Sequence, residues 1–315
     1  MARYVLQRIL ALIPVMLVVA TVGYVILYFA PGDPAAVMLG MDATPERVRE
    51  LKHSLGLDRP FIVQLGLWYQ RIIRGDLGRS IFEQDPVTEV IARRLEPSLL
   101  LSLLGITLAV AVGVPVGVIA AVRRNTIVDQ LLMSGALFGI SIPSFWLGLN
   151  LILLFSLRLN LFPTSGYIPL NEGWTGTLTT LALPAMTLGA LGSGFIARMT
   201  RSAMLEVLSA DFVRTAQAKG LTHYRVVSRH ALRNALIPIV TVIGLAAGTL
   251  MAGGVITVET VFAIPGVGLL VISSILRRDF PVIQGVLLYV SLVYVFVNLL
   301  IDLLYVFLDP RVKYS

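Results

Sequence analysis

Apolar residues in this chain gather into long, nearly uninterrupted runs. Leu10–Phe29, Ser98–Val122, Leu131–Leu157, Leu178–Ala197, Ala235–Val258 and Val282–Ile301 each approach or exceed the ~20 residues that carry a helix across a bilayer. In lipid only helices and closed barrels satisfy every peptide group internally. Barrel strands would be about ten residues of alternating polarity, and these runs are longer and uniformly apolar. The pattern therefore predicts an all-α integral membrane protein with six transmembrane helices. Arg3 and Arg8 ahead of the first run suggest a secretory leader. The apolar core is too long for a 7–15-residue leader core, and no small-x-small cleavage pattern precedes Pro31, so a retained anchor is expected.

The polar stretch between the first two runs carries helix punctuation. Pro31-Gly32-Asp33-Pro34 ends the first span. Thr44 is placed as an N-cap with Pro45 and Glu46 behind it, and Gly56 closes that helix. A second helix is expected from Pro60 to Gly75, with Phe61, Leu65, Trp68 and Ile72 on one face. This segment reads as a folded cap near the membrane surface. Near the other end, Val267–Leu276 is apolar but gives only about 15 Å of helix, half the hydrocarbon thickness. A short external or re-entrant helix is predicted there.

Between the fourth and fifth runs lies a basic, amphipathic segment, Arg198 to Asn234. Leu205, Leu208, Phe212 and Ala216 share one helical face; Lys219 suits a last turn and Gly220 a C′ position. Thr222 is placed as the cap of a second helix bearing Tyr224, Val227 and Ala231. The prediction is an elbow of helix, glycine bend and helix. Two roles fit it: a socket for another protein, or an amphipathic element lying on the membrane surface.

Composition sharpens the class. At 57% hydrophobic and 14% charged the chain is far from the roughly 25% charged residues of soluble domains. The net charge of +7 does not point to nucleic acid, because the basic residues are asymmetrically placed. Arg3, Arg8, Arg123, Arg124, seven residues between Arg198 and Arg233, then Arg311 and Lys313 lie in segments on one side; Arg158, Arg277 and Arg278 lie in short loops on the other. The positive-inside rule puts both termini in the cytoplasm and the cap outside. Nine basic residues in Ala30–Pro97 do not oppose this, since long loops translocate largely regardless of charge. No cysteine is present, which excludes disulfides and thiolate metal sites.

Individual polar residues offer little catalytic chemistry. Asp302 is an acid within an apolar run, near enough to the expected cytoplasmic end to reach headgroups or Arg311. Asn150 and Asn298 are expected to join helices by hydrogen bonds, and the pairs Gly113/Gly117, Gly135/Gly139 and Gly244/Gly248 to allow close helix approach. Pro115 and Pro143 predict kinks. His53, His223 and His230 lack metal-ligand spacing. An ion-coupled carrier would place carboxylates near the bilayer midplane and show an internal repeat. An intramembrane protease would need a nucleophile pair or metal ligands within the spans. Neither pattern is visible.

The elbow resembles the cytoplasmic Glu-Ala-Ala loop of bacterial ABC-importer permeases, with Arg214, Thr215 and Ala216 at the motif positions, Gly220 after three residues and His230 nine beyond. Arg214 and Thr215 depart from Glu-Ala, and Arg233 stands where a proline is common. Further blocks extend the likeness to nearly the whole chain: PGDP at Pro31–Pro34, GDLGRSI at Gly75–Ile81, SIPSFWLG at Ser141–Gly148, FPTSGY at Phe162–Tyr167, ETVFAIPGVG at Glu259–Gly268, DFPVIQG at Asp279–Gly285 and DLLYVFLDPRV at Asp302–Val312. The sequence is similar to the dipeptide/oligopeptide permease subfamily of binding-protein-dependent type-1 permeases.

That resemblance implies the ABC type-1 permease fold over 97–309, with a coupling loop at 198–234, preceded by the first helix and its extracytoplasmic helical insertion at 1–96. It implies docking of an ATPase on the loop at Asp211, Arg214, Thr215, Ala216, Gly220 and His230. It further implies a second homologous permease subunit, two ATP-binding subunits, an extracytoplasmic solute-binding protein and a bacterial or archaeal plasma membrane. The chain has no G-x-x-x-x-G-K-[ST] phosphate loop, so ATP and Mg are expected on the partner subunits, with no cofactor and no catalytic residue here. Peptide is the cargo suggested; nickel, glutathione and oligosaccharide remain alternatives within the same architecture, and an ion-coupled secondary transporter is the alternative outside it.

Overall fold

A computed structural model of the chain describes residues 2–29, 33–40 and 43–308. Among them the regular structure is helical, apart from one isolated antiparallel bridge between Arg79 and Pro86. Four helices are long and apolar enough to cross a membrane: α5 (Val87–Val122), α8 (Trp174–Leu208), the helix His223–Thr249, and α14 (Phe280–Leu308), of which the described side chains reach Leu300. Among the described residues a bent pair offers a fifth span. α6 (Ile127–Ser141) and α7 (Ser144–Leu151), the latter prolonged by a π-helical stretch to Arg158, meet at an angle of 101°. The sequence predicts one kinked helix there. Ile142, held extended at φ −73°, ψ 128°, shows why it breaks: the residue before a proline is disfavoured in the helical region, and Pro143 supplies no N–H. Pro115, by contrast, sits inside an unbroken α5. The first apolar run lies in α1 (Ala2–Tyr28), a helix of 27 residues. Among the described residues four helices and one broken pair are long and apolar enough to span, and the count of six is not fixed by them.

The chain divides into two compact units: one runs up to Glu96 and includes Leu269–Val295, the other spans Pro97–Gly268 and the helix from Phe296 onward. In the first unit the cap has the expected punctuation. Asp33 caps α2 (Pro34–Leu39) through the Ala35 N–H at 3.1 Å. Thr44 caps α3 (Pro45–Leu55) through Arg47, and Gly56 ends it in the left-handed region at φ +69°. α4 (Phe61–Ile73) turns Trp68 onto Ala20 and Tyr24 of α1, with Phe61, Leu65 and Ile72 around them. α13 (Val267–Arg277) is the short apolar helix, eleven residues and about 16 Å long. Two of the sequence blocks meet in this unit: buried Asp279 accepts hydrogen bonds from the Ser80 hydroxyl at 2.6 Å and from the Ile81 N–H at 3.2 Å.

The second unit is built around α8, which packs against α6, α7, α11 (Leu232–Thr249) and α12 (Val255–Val261). Gly113 and Gly117 of α5 let α8 approach so closely that a Cβ on Gly117 would lie 2.5 Å from the Ala197 carbonyl oxygen. The predicted small-residue contact is therefore real for that pair, whereas Gly135 faces open space. The two asparagines do not behave as expected. Asn150 donates to the Trp146 carbonyl of its own helix at 2.7 Å, and Asn298 is exposed. A helix carbonyl one turn back is always within reach of a short amide, so local satisfaction replaces the interhelical bond. The side chain of Asp302, together with Arg311 and Lys313, lies outside the described residues.

Candidate functional site

The elbow is smaller and more continuous than its sequence suggests. Arg198 to Leu208 belongs to α8, and on the other side α10 (His223–Arg225), a π-helical turn at Val226–Ala231 and α11 form one helix, His223–Thr249. Only 209–222 lies outside the two long helices, and within it α9 (Asp211–Ala218) is the single regular element. The face proposed for Leu205, Leu208, Phe212 and Ala216 is consequently split between α8 and α9, because the chain turns at Ser209 and Ala210. Likewise the second helix is not a separate one: it is the first two turns of the following span.

An eight-residue helix is too short to be stable alone. α9 persists because Val213 and Ala216, 1% and 8% exposed, close on Val226 and Leu221. Gly220 then turns the chain at φ +79°. Its N–H donates to the Gln217 carbonyl at 2.9 Å and that of Leu221 to the Ala216 carbonyl at 3.3 Å, the paired bonds of a Schellman cap with Gly220 at C′. Space beside Gly220 is open. Glycine is required here by backbone conformation, not by a close neighbour within the chain. Thr222 occupies the N-cap position but its hydroxyl caps nothing; the backbone carbonyl alone takes the Val226 N–H at 3.0 Å.

The other predicted residues point outward. Asp211 and Arg214 are exposed and approach each other at 3.7 Å one turn apart, a solvent pair of little energetic weight. The Thr215 hydroxyl donates back to the Asp211 carbonyl at 2.9 Å. His230 is half-buried in the π-helical turn. Of the six positions, Ala216 belongs to the elbow's small core, Gly220 makes its bend, and Asp211, Arg214, Thr215 and His230 lie on or near its surface. Two large apolar side chains join them there: Phe212 is 44% exposed and Tyr224 79%.

Besides Asp279, two buried acids were not singled out by sequence reasoning. Asp129, with 5% of its side chain exposed, receives both Nε and Nη2 of Arg201 at 2.7 Å and the Asn125 N–H at 2.9 Å. Thr126 accepts the Asp129 N–H in return, so the start of α6 carries a variant of the capping box. Arg201 lies on α8, two turns before the elbow begins. The pair thus fixes the α8 end that carries the elbow against α6. The second acid, Glu259 of α12, is wholly buried. It accepts a hydrogen bond from Ser98, whose oxygen in turn accepts the Val267 N–H at 2.8 Å. Gly266 and Gly268 fold over the carboxyl group so tightly that any Cβ at Gly266 would collide with it. The only sequence signal was an acid followed by PGVG.

Comparison with known proteins places these features. Residues 113–314 match the family described as binding-protein-dependent transport system inner membrane component, and residues 1–102 match the N-terminal part described for the same membrane components. A relative in Brucella abortus (strain 2308), named as a peptide transport system permease protein, is 44% identical over 315 residues and covers all of both chains. The dipeptide transport system permease protein DppB of Escherichia coli (strain K12) is 40% identical over 339 aligned residues, again with both chains fully covered. Among solved structures, a chain of the MetNI methionine ABC transporter in an inward-facing conformation overlays 70% of this chain and 97% of its own, with TM-score 0.58 at 20% identity; that likeness concerns the fold. The family matches, the full-length relatives and the shared permease fold together establish that this chain belongs to the binding-protein-dependent transport system inner membrane component family.

Proposed function

We propose that the chain is one permease subunit of an ATP-driven ABC importer and forms half of a membrane pathway for di- or oligopeptides delivered by a solute-binding protein. The observation that carries the reading is full-length similarity to a dipeptide permease at 40% identity, joined to an elbow that displays Phe212 and Tyr224 to solvent. The elbow is the docking surface for an ATPase subunit. Two such subunits bind ATP and Mg, and a second, non-identical permease subunit completes the pathway, because the four or five spanning helices among the described residues enclose too little volume for a peptide. Nickel, glutathione and oligosaccharide importers share this architecture. Selectivity among them rests with the binding protein, and the identity of that protein decides the cargo.

Docking is tested on the exposed side chains. Gly220→Glu would be ambiguous, since any Cβ at φ +79° costs about 1 kcal/mol through the backbone alone. Phe212→Asp combined with Tyr224→Asp changes side chains outside the elbow's small core and places two charges where a partner must exclude water. Expression and membrane insertion are expected to stay normal while recovery of tagged ATPase subunit falls at least about tenfold, the loss expected for 1.4 kcal/mol or more. Undiminished ATPase recovery would leave the elbow as a membrane-surface helix.

The same reading puts both termini in the cytoplasm and the cap outside, supported by the asymmetry of Lys and Arg. Because the chain has no cysteine, Thr44→Cys provides a single thiol on the cap. An impermeant maleimide should modify it from the extracytoplasmic face of intact cells. Modification only in inside-out vesicles would reverse the topology.

A further inference from the structure

The first unit contains a cavity of about 620 Å³ between the cap and the ends of two membrane helices, a size typical of small-molecule sites. It is lined on one side by Tyr24, Tyr28 and Trp68 and by Phe280 at the start of α14; on the other it is bordered by Lys52, Arg71 and Arg79 of the cap. The aromatic wall is well packed: the rings of Tyr24 and Trp68 lie 5.0 Å apart and those of Tyr28 and Phe61 4.9 Å. Tyr and Trp gathered where a spanning helix ends are the residues that sit at the headgroup level of a bilayer.

Charge selects the class of occupant. Lys52 is already neutralised by Asp33, which lines the same cavity, at 2.7 Å. Arg71 and Arg79 make no ion pair and no side-chain hydrogen bond among the described residues. Among the described residues, then, two guanidinium groups without an ion-pair partner border an apolar chamber whose lining acid, Asp33, is already engaged by Lys52. A zwitterionic peptide would leave its ammonium group unmatched. An anionic amphiphile matches both halves, since guanidinium forks bind phosphate oxygens and the aromatic wall accepts apolar chain. We propose that this cavity binds an anionic phospholipid, its phosphodiester held by Arg71 and Arg79 and its glycerol and upper acyl carbons lying on Tyr24, Trp68 and Phe280. The site adds a lipid requirement to the cap, independent of the transported cargo.

Trp68 offers a direct readout. With Trp146→Phe and Trp174→Phe, both originally exposed, the full chain carries Trp68 as its sole indole. In nanodiscs of phosphatidylcholine, brominated phosphatidylglycerol is expected to quench Trp68 at about one tenth of the mole fraction needed for brominated phosphatidylcholine, a tenfold preference. Arg71→Gln with Arg79→Gln, two exposed positions, should remove the preference, and Arg71→Lys with Arg79→Lys should retain part of it because the charge remains. Equal quenching by the two lipids, or a preference unchanged in the double Gln variant, overturns the proposal. So does a dipeptide that abolishes the preference, for the cavity would then take cargo.

Discussion

Glu259→Ala is expected to destabilise the second unit by about 3 kcal/mol, the combined cost of an unsatisfied buried donor and a cavity. The carboxyl group accepts from Ser98, and Ser98 holds the Val267 N–H, so one side chain ties the start of α5 within this unit to α12 and to the turn that leads into α13. Removing it leaves Ser98 without its acceptor and an empty space beneath Gly266 and Gly268. Read as the temperature at which the detergent-solubilised protein loses its monodisperse peak, the midpoint should fall by about 6–10 °C. Glu259→Gln keeps the shape and one acceptor oxygen and should lie between wild type and Ala. Gly266→Ala should be at least as damaging as Glu259→Gln, because its methyl group has no space that the carboxyl does not occupy. Wild-type stability of Glu259→Ala would show that the carboxyl is not what closes this turn.

Asp129→Ala is expected to have a comparable effect for a different reason. It leaves Arg201, only 26% exposed, as a largely desolvated cation and removes the acceptor for the Asn125 N–H. Breaking one partner of a buried pair costs roughly 3–5 kcal/mol; the partial exposure of Arg201 puts the expectation at the lower end, about 3 kcal/mol. A double-mutant cycle with Arg201→Ala separates pairing from simple loss of contact. The two changes together should cost less than their sum by about 1–2 kcal/mol. Strict additivity would mean that the two side chains do not stabilise each other. Because α8 runs without interruption from Arg201 to the elbow, the single variants should also lower ATPase recovery on the permease, and the double variant should lower it by less than the two single losses combined.

Much of the architecture was legible without coordinates. Apolar runs longer than a bilayer's thickness allow few alternatives to a spanning helix, because lipid offers no other partner for peptide groups. Local signals were equally direct: Thr44, Pro45 and Gly56 set the bounds of α3, and Gly220 stands at the C′ position where its spacing put it. These are interactions among residues within one or two turns, so spacing along the chain is spacing in space. The sequence blocks also pointed to the family that the full-length relatives bear out.

What failed to appear in the sequence depended on distance along the chain. Nothing in the order of residues says that Asp129 meets Arg201, that Ser80 meets Asp279, or that Ser98 meets Glu259; each acid looks like an isolated polar residue until the helices are packed. Periodicity also carried Leu205 to Ala216 across a break at Ser209 that it could not register, and it read Pro143 as a kink where the helices part by 101°. Whether a proline bends a helix or ends it is set by what the freed carbonyls and the following turn can pack against. The chain alone determined that it must live in a membrane, where its long apolar runs and the bounds of α3 lie, and which family it belongs to. Tertiary structure alone decided which buried acids hold the unit together, how little of the elbow is loop, and which cap residues surround a cavity, since each of these is a contact between segments that only packing brings together.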